Sequence, residues 1–369
     1  MQFDRPTERC LYANREPAMR TLRFPRVSSS GSAKPFAQLF KVLDVIHEGL
    51  VTGIPTTKRD VYYKDVALFK NQKTVDTIVD NLAATWELQR SDLNIRAASK
   101  GLICGSGITI HLLSGEEIRG NDTEGSNIPV GEDIESFGVD EDVRWVLVVE
   151  KEAVFQTLCR LDVTTSLGLA GPGIMITAGQ PFIRCVNLTV RESQQGRGYP
   201  DVATRHLVKS LADALPKRIP FVALVDCDPY GLDILSVYRY GSKSMQHENE
   251  KLAARRVKWL GVRVSDLVAR SCSGLDLDCL LPLTKSDEKR IHSMLLRPGL
   301  PKLWKKELSK SLHMRRKAEI EILTALDDVN FSYPSQSVTQ DLRDDAPKHP
   351  LLAYVYWRLL SFLDRNQSM

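Results

Sequence analysis

A chain of 369 residues with 43% hydrophobic content buries large cores and divides into roughly two or three domains, which excludes a wholly disordered scaffold. Its net charge of +4 is unevenly spread: basic residues crowd Arg5 to Lys34 and Lys302 to Lys317, as suits a phosphate-bearing partner. No stretch approaches the ~20 apolar residues of a membrane span and the N-terminus lacks a secretory apolar core, so the chain reads as soluble, cytosolic or nuclear.

Residues 1–35 mix arginines with small polar residues and read as a flexible basic arm. From there Phe36, Leu39, Phe40, Leu43, Ile46 and Leu50 recur at three and four, which predicts an amphipathic helix ending near Gly49 and Gly53. Thr56 or Thr57 caps a second helix through Phe69, and Val75, Ile78, Val79, Leu82 and Trp86 mark a third. Strand-like segments Gly101 to Cys104 and Ile108 to Leu112 follow. Three short helices and two strands predict a winged helix-turn-helix domain over residues 36–113, an architecture that docks on DNA. Between Glu116 and Asp142 ten acidic residues face the single Arg119, so residues 114–142 read as a solvated acidic connector.

The pattern then changes to strands alternating with helices. Arg144 to Glu150 is a short apolar run suited to a parallel sheet, a helix follows from Lys151 to Leu161, and Ile174 to Thr177 forms a second strand. Asp201 to Leu215 reads as a helix and Phe221 to Asp226 as a third strand. Residues 143–330 thus form an α/β domain, and residues 331–369 a helical tail.

Two constellations carry chemistry. In Thr57-Lys58-Arg59-Asp60-Val61-Tyr62-Tyr63, helical spacing aligns Tyr62 with Val66 and Phe69, whereas Tyr63 shares a face with Arg59. Tyr62 therefore reads as packing and Tyr63 as the functional hydroxyl. A phenol with a free pKa of ~10 needs a cation nearby to act as nucleophile, and Arg59 can also brace charge on a phosphate. The competing reading, two packing aromatics, is favoured by spacing alone. The second constellation is Glu150 at the end of the first strand with Asp226 and Asp228 after the third. Ligands of parallel sheets bind at those strand ends, and converging carboxylates ask for a hard cation such as Mg²⁺. Taken singly, an acid after a strand is as often a helix cap.

Weaker signals are the Gly196-Arg197-Gly198 turn before Asp201, read chiefly as a helix entry, and the basic residues Lys302, Lys305, Lys306, Lys310, Arg315, Arg316 and Lys317. These last suit either DNA backbone contact or a solvated face. Seven scattered cysteines offer no zinc spacing and read as free thiols. No histidine pair has ligand spacing.

With these residues in view, the sequence resembles the topoisomerase VI A-subunit family, and more closely its eukaryotic members that make meiotic double-strand breaks. The resemblance runs from about Phe36 to Leu323. The segment Thr57 to Tyr63 is similar to the family's nucleophile helix, Ala98-Ser99-Lys100-Gly101-Leu102 to a further signature, and Val148 to Lys151 and Val225 to Gly231 to its Toprim metal site. The resemblance implies a catabolite-activator-like winged helix joined to a Toprim α/β domain. It also implies Lys58, Arg59 and Lys100 at the DNA, with Lys100 near the active site.

Further implications are a nuclear, chromosomal homodimer whose composite sites join Tyr63 of one protomer to the acids of the other, leaving 5′-phosphotyrosyl links. The partners implied are double-stranded DNA, meiotic accessory proteins and a topoisomerase VI B-like ATPase of the GHKL type. The family's ATP-hydrolysing class belongs with that ATPase, as no phosphate-binding GxxxxGKS loop occurs here. One departure stands out: this chain inserts Ala178 to Gln195 where relatives pass almost directly from strand to glycine turn, either as a surface loop or as translated intron sequence. Two rivals make different demands. A Toprim nuclease using metal-activated water needs no Tyr63, and a non-cutting DNA-docking component of a break complex tolerates loss of the acids.

Overall fold

The structure, a computed structural model, describes residues 24–25, 33–96, 99–165, 167–178, 199–271, 280–324 and 347–367. They belong to two units: a helical one with residues 33–96 and Gly241–Leu252, and an α/β one with Ser99–Tyr240 and the described chain from Ala253. The inserted segment beyond Ala178, the Gly196-Arg197-Gly198 turn and nearly all of the 1–35 arm lie outside the described residues.

In the helical unit, α1 (Ala33–Thr52) stops at Gly53, whose φ of +70° suits a residue without Cβ. Its buried face is Gln38, Val42, Val45, Ile46 and Gly49, rotated from the expected stripe. Phe40 and Leu50 are 61% and 54% exposed. The helix is apolar on two sides, and the side that packs with Val61, Phe69, Val75 and Val79 takes the core. β1 (Thr56–Thr57) pairs in parallel with β2 (Ile95–Arg96). Thr57 then caps α2 (Lys58–Lys64) in a capping box: its hydroxyl accepts from the Asp60 amide at 3.2 Å and its own amide donates to the Asp60 carboxylate at 3.0 Å.

The second helix does not run unbroken to Phe69. Asp65 leaves helical geometry (φ −156°, ψ 77°) and caps a separate turn, α3 (Val66–Phe69), accepting from the Leu68 amide at 2.9 Å. α4 (Gln72–Thr85), capped by Asn71, buries Val75, Val79 and Ala83 and leaves Trp86 48% exposed.

Beyond residue 98 the strands expected to pair as a wing go elsewhere. β3 (Leu102–Cys104) joins the main sheet, while β4 (Ile108–Leu112) lies between β5 (Glu117–Arg119) and β7 (Ile134–Val139) in a three-stranded antiparallel sheet. β6 (Ser126–Asn127) pairs with β3. The acidic stretch is therefore not a plain connector: three of its segments, β5, β6 and β7, pair into sheets, and turns and loops join them. Glu117 and Arg119 flank the half-buried Ile118, and Glu135 is exposed, so alternation keeps these charges in water while the backbone pairs.

The main sheet contains β8 (Trp145–Val149), β9 (Gly173–Thr177), β10 (Phe221–Leu224) and β11 (Lys258–Gly261) in the order β11-β10-β8-β9, all parallel, with β3 and β6 antiparallel beyond β9. Every residue of β8, β9 and β10 is buried, the continuous apolar pattern of a parallel sheet covered on both faces. Each fully buried aliphatic side chain there contributes about 1.5–3 kcal/mol. α5 (Glu152–Arg160) follows β8, α6 (Val202–Ala214) precedes β10 and α7 (Pro229–Tyr240) follows it. Asp201 caps α6, accepting from the Thr204 amide at 2.7 Å, as its position predicted.

The short α8 (Asn249–Leu252) belongs to the helical unit, and α9 (Val264–Ser271) returns to the α/β unit. Next come β12 (Leu281–Pro282), α10 (Lys285–Leu295), α11 (Lys302–Met314) and β13 (Arg316–Lys317), which pairs antiparallel with β12. α12 (Pro350–Gln367) is not an appended tail. It buries Leu351, Tyr354 and Tyr356, and Tyr354 donates to Asp266 at 2.8 Å. Gly261 makes this fit possible, since a Cβ there would lie 2.0 Å from the Tyr354 hydroxyl.

Candidate active site

The two constellations fall on different units. Tyr63 and Arg59 stand on α2 of the helical unit; Glu150, Asp226, Asp228 and Lys100 belong to the α/β unit.

On α2 the capping box fixes the start, so the faces that follow are fixed too. Arg59 donates to the Tyr63 hydroxyl at 3.4 Å, with its guanidinium carbon 5.6 Å from the ring centroid. Tyr63 is 58% exposed, while Tyr62 is half-buried against the helical core. The expected Tyr62–Val66–Phe69 stripe is not continuous. The break at Asp65 turns Val66 outward to 43% exposure, and only Phe69 returns to the core. Lys58, expected at DNA, turns inward and pairs with Asp80 of α4. Arg90 stands 3.9 Å from Asp80 and holds Glu248 at 2.9 Å. That pairing braces α2 against α4.

In the α/β unit β8 and β10 are parallel neighbours with Val149 opposite Leu224, so the residues after both strands arrive at one edge. Glu150 accepts from the Asp226 amide at 2.8 Å. The strand ends at Leu224, short of the predicted Asp226, and the Asp-Cys-Asp segment is held by the Cys227 amide donating to Ala318 at 2.8 Å. Asp226 accepts from the Ile320 amide at 2.9 Å and meets the Lys151 ammonium at 2.9 Å. Asp228 accepts from the amides of Tyr230 and Gly231 at 2.9 and 2.8 Å, so it caps α7 as well as lining the site. Lys317 lies 3.8 Å from Asp228 and 3.2 Å from Asp287.

Burial and the neighbouring Asp226 and Asp228 charges hold the Glu150 carboxyl well above the usual carboxylate range. Burial pushes Asp226 up to about 7 against the pull of Lys151, and raises Asp228 against its two amide donors. Burial opposes the charge on Lys151, but Asp226 and Glu321 outweigh it and hold that pKa above its ordinary value. Three crowded, desolvated carboxylates form an oxygen-only donor set, the chemistry that suits Mg²⁺. Among the described residues no group of three or more His, Cys, Asp or Glu side chains forms a closed ligand set as it stands. Lysines hold part of the oxygens.

Lys100 is exposed, and its amide donates to Asp201 at 3.2 Å. Arg316 donates to the Leu280 carbonyl at 3.2 Å, so with Lys317 it leaves the basic surface on which Lys302, Lys305 and Lys306 stand exposed. Sequence reasoning missed Glu319 and Glu321, and took in Lys151 only as the last residue of the Val148 to Lys151 segment, without a role. Cys104, Cys159 and Cys227 are buried free thiols, and no helix among the described residues is long and apolar enough to cross a membrane.

Comparison with known proteins matches residues 194–337 to the family model of the topoisomerase 6 A-subunit/Spo11 Toprim domain, and residues 34–95 to that of type IIB DNA topoisomerase. The Toprim match begins past Glu150, within the stretch 179–198 that lies outside the described residues. The chain is 35% identical over 310 residues to the meiotic recombination protein SPO11 of Mus musculus, covering 83% of this chain and 71% of that one. It is 34% identical over 313 residues to the meiotic recombination protein rec12 of Schizosaccharomyces pombe, covering 84% and 78%. Against the A3 subunit of DNA topoisomerase 6 from Oryza sativa subsp. indica it is 35% identical over 316 residues, covering 82% and 64%.

Proposed function

The chain belongs to the topoisomerase VI A/Spo11 family, and from that premise we propose that it makes double-strand breaks in DNA for meiotic recombination by tyrosine transesterification. The observation that carries this reading is the Arg59–Tyr63 pair: an exposed phenol with a guanidinium on its hydroxyl, on a helix fixed by a capping box. The Tyr63 oxygen gives up its proton and attacks the scissile phosphorus; the P–O3′ bond breaks and the departing 3′-oxygen takes up a proton, leaving a 5′-phosphotyrosyl link and a free 3′-hydroxyl. Arg59 offers charge-assisted hydrogen bonds to the phenolate and to the crowded phosphate oxygens.

Glu150 and Asp226, with Asp228 beside them, would hold Mg²⁺, which when bound neutralises phosphate charge. Their own burial and mutual repulsion support that assignment. The helical unit acts as the DNA-docking element, with Arg59 meeting the backbone and Lys58 bracing α2 from behind, and Lys100 of the α/β unit supplies a further backbone contact. The protein works in the nucleus as a homodimer in which Tyr63 of one protomer serves the carboxylates of its partner. A topoisomerase VI B-like ATPase and meiotic accessory proteins join it. The test is to map DNA 5′ ends from meiotic cells for this chain in covalent linkage. Breaks with free 5′-phosphates and no attached protein would instead support water-activated cleavage.

A further inference from the structure

The carboxylate site already contains a cation of its own. Both oxygens of Asp226 are engaged, one by the Ile320 amide and the other by the Lys151 ammonium at 2.9 Å. The same ammonium lies 2.6 Å from Glu321 and 3.6 Å from Glu319. Lys151 occupies the N-cap position of α5, and its four-carbon stem places the ammonium between an inner carboxylate and two outer ones. Asp226 is 8% exposed at its side chain, Glu319 37% and Glu321 48%, so the outer pair lies toward solvent. Two like charges cannot share the Asp226 oxygen, because at contact distance the repulsion between an ammonium and a divalent ion outweighs what one carboxylate returns.

We propose that Lys151 is the resident counter-ion of this site, and that a divalent cation binds by displacing its ammonium from Asp226 onto Glu319 and Glu321. The inference rests on the metal reading given above and deepens it. The lysine keeps the acids compatible with burial before the metal arrives and lowers metal affinity in the same act. Glu319 and Glu321 are then receiving groups rather than metal ligands.

The experiment titrates Mn²⁺ into the full-length chain, reading free Mn²⁺ by electron paramagnetic resonance. Lys151→Met keeps the stem without the charge and is expected to bind at least about tenfold more tightly than wild type. Lys151→Arg keeps the charge and stays near wild type. Equal or weaker binding by Lys151→Met overturns the proposal. A second measurement needs no variant: acetylation of Lys151 in the wild-type chain, followed by mass spectrometry, should rise severalfold on Mn²⁺ saturation. Unchanged or reduced labelling overturns it as well. Wild-type binding that survives Glu150→Ala unchanged defeats the metal reading itself, and with it this proposal. Binding lost in Glu150→Ala but not tightened in Lys151→Met defeats this proposal alone.

Discussion

The Arg59 guanidinium donates to the Tyr63 hydroxyl at 3.4 Å across one helical turn, while Tyr62, one residue before, is half-buried against the helical core. Replacing Tyr63 with Phe removes one exposed oxygen and little packing. Folding and DNA binding should survive, and covalent protein–DNA complexes should vanish. Tyr62→Phe keeps the ring that packs and should still form them. Normal complexes in Tyr63→Phe would reject the nucleophile assignment.

Arg59 carries charge to the reacting group rather than to the core, since its side chain is exposed. Arg59→Ala should lower the rate of covalent complex formation on the order of 10²-fold, with a smaller loss of DNA affinity. Arg59→Lys should restore part of it, because a point charge replaces the fork. Single-turnover cleavage measured beside equilibrium binding separates the two effects.

Of the three acids, Asp228 is the one already occupied as a helix cap, with two amides on one oxygen. Glu150→Ala and Asp226→Ala should abolish breaks while leaving most DNA affinity, which lysines and arginines supply. Asp228→Asn should cost less, as the amide oxygen still caps α7. Break mapping in meiotic cells together with filter binding decides the ranking.

Stability should depend on pH through the same acids. Asp226 is raised to about 7 in the folded chain, against ~3.9 unfolded. The folded state then binds the extra proton, so this contribution to stability is present below pH ~4 and is lost as pH rises through about 7. Metal-free thermal melts of wild type against Asp226→Asn should converge at low pH, with wild type falling behind by neutrality. Added Mg²⁺ should close the gap. A difference that does not vary with pH would contradict the assignment.

Lys58 faces Asp80 inside the helical unit rather than DNA. Asp80→Ala leaves its ammonium buried without its partner and should cost about 3 kcal/mol, measured by chemical denaturation. The double variant Lys58→Met/Asp80→Ala should recover most of that loss. If the double variant is no better than the single, the pair is not what braces α2.

What the sequence alone determined is local or strongly apolar. The spacing of four between Arg59 and Tyr63, the cap at Asp201 and the continuous apolar runs of β8, β9 and β10 follow from backbone geometry and need no distant partner. What only the tertiary structure decided is which of two competing options each ambiguous group took. α1 was apolar on both sides, and packing against Val61 and Val79 chose the side. The acidic stretch before β8 looked like solvated linker because composition ignores backbone pairing; β5, β6 and β7 fall within it, with Glu117 and Glu135 exposed on their strands and the other acidic residues in the turns and loops around them. The fate of Lys151 was least legible, since its Glu321 partner lies 170 residues away. Helix geometry fixes spacings within a turn or two, whereas a buried charge is assigned its partner by desolvation, and that is settled only when distant segments fold together.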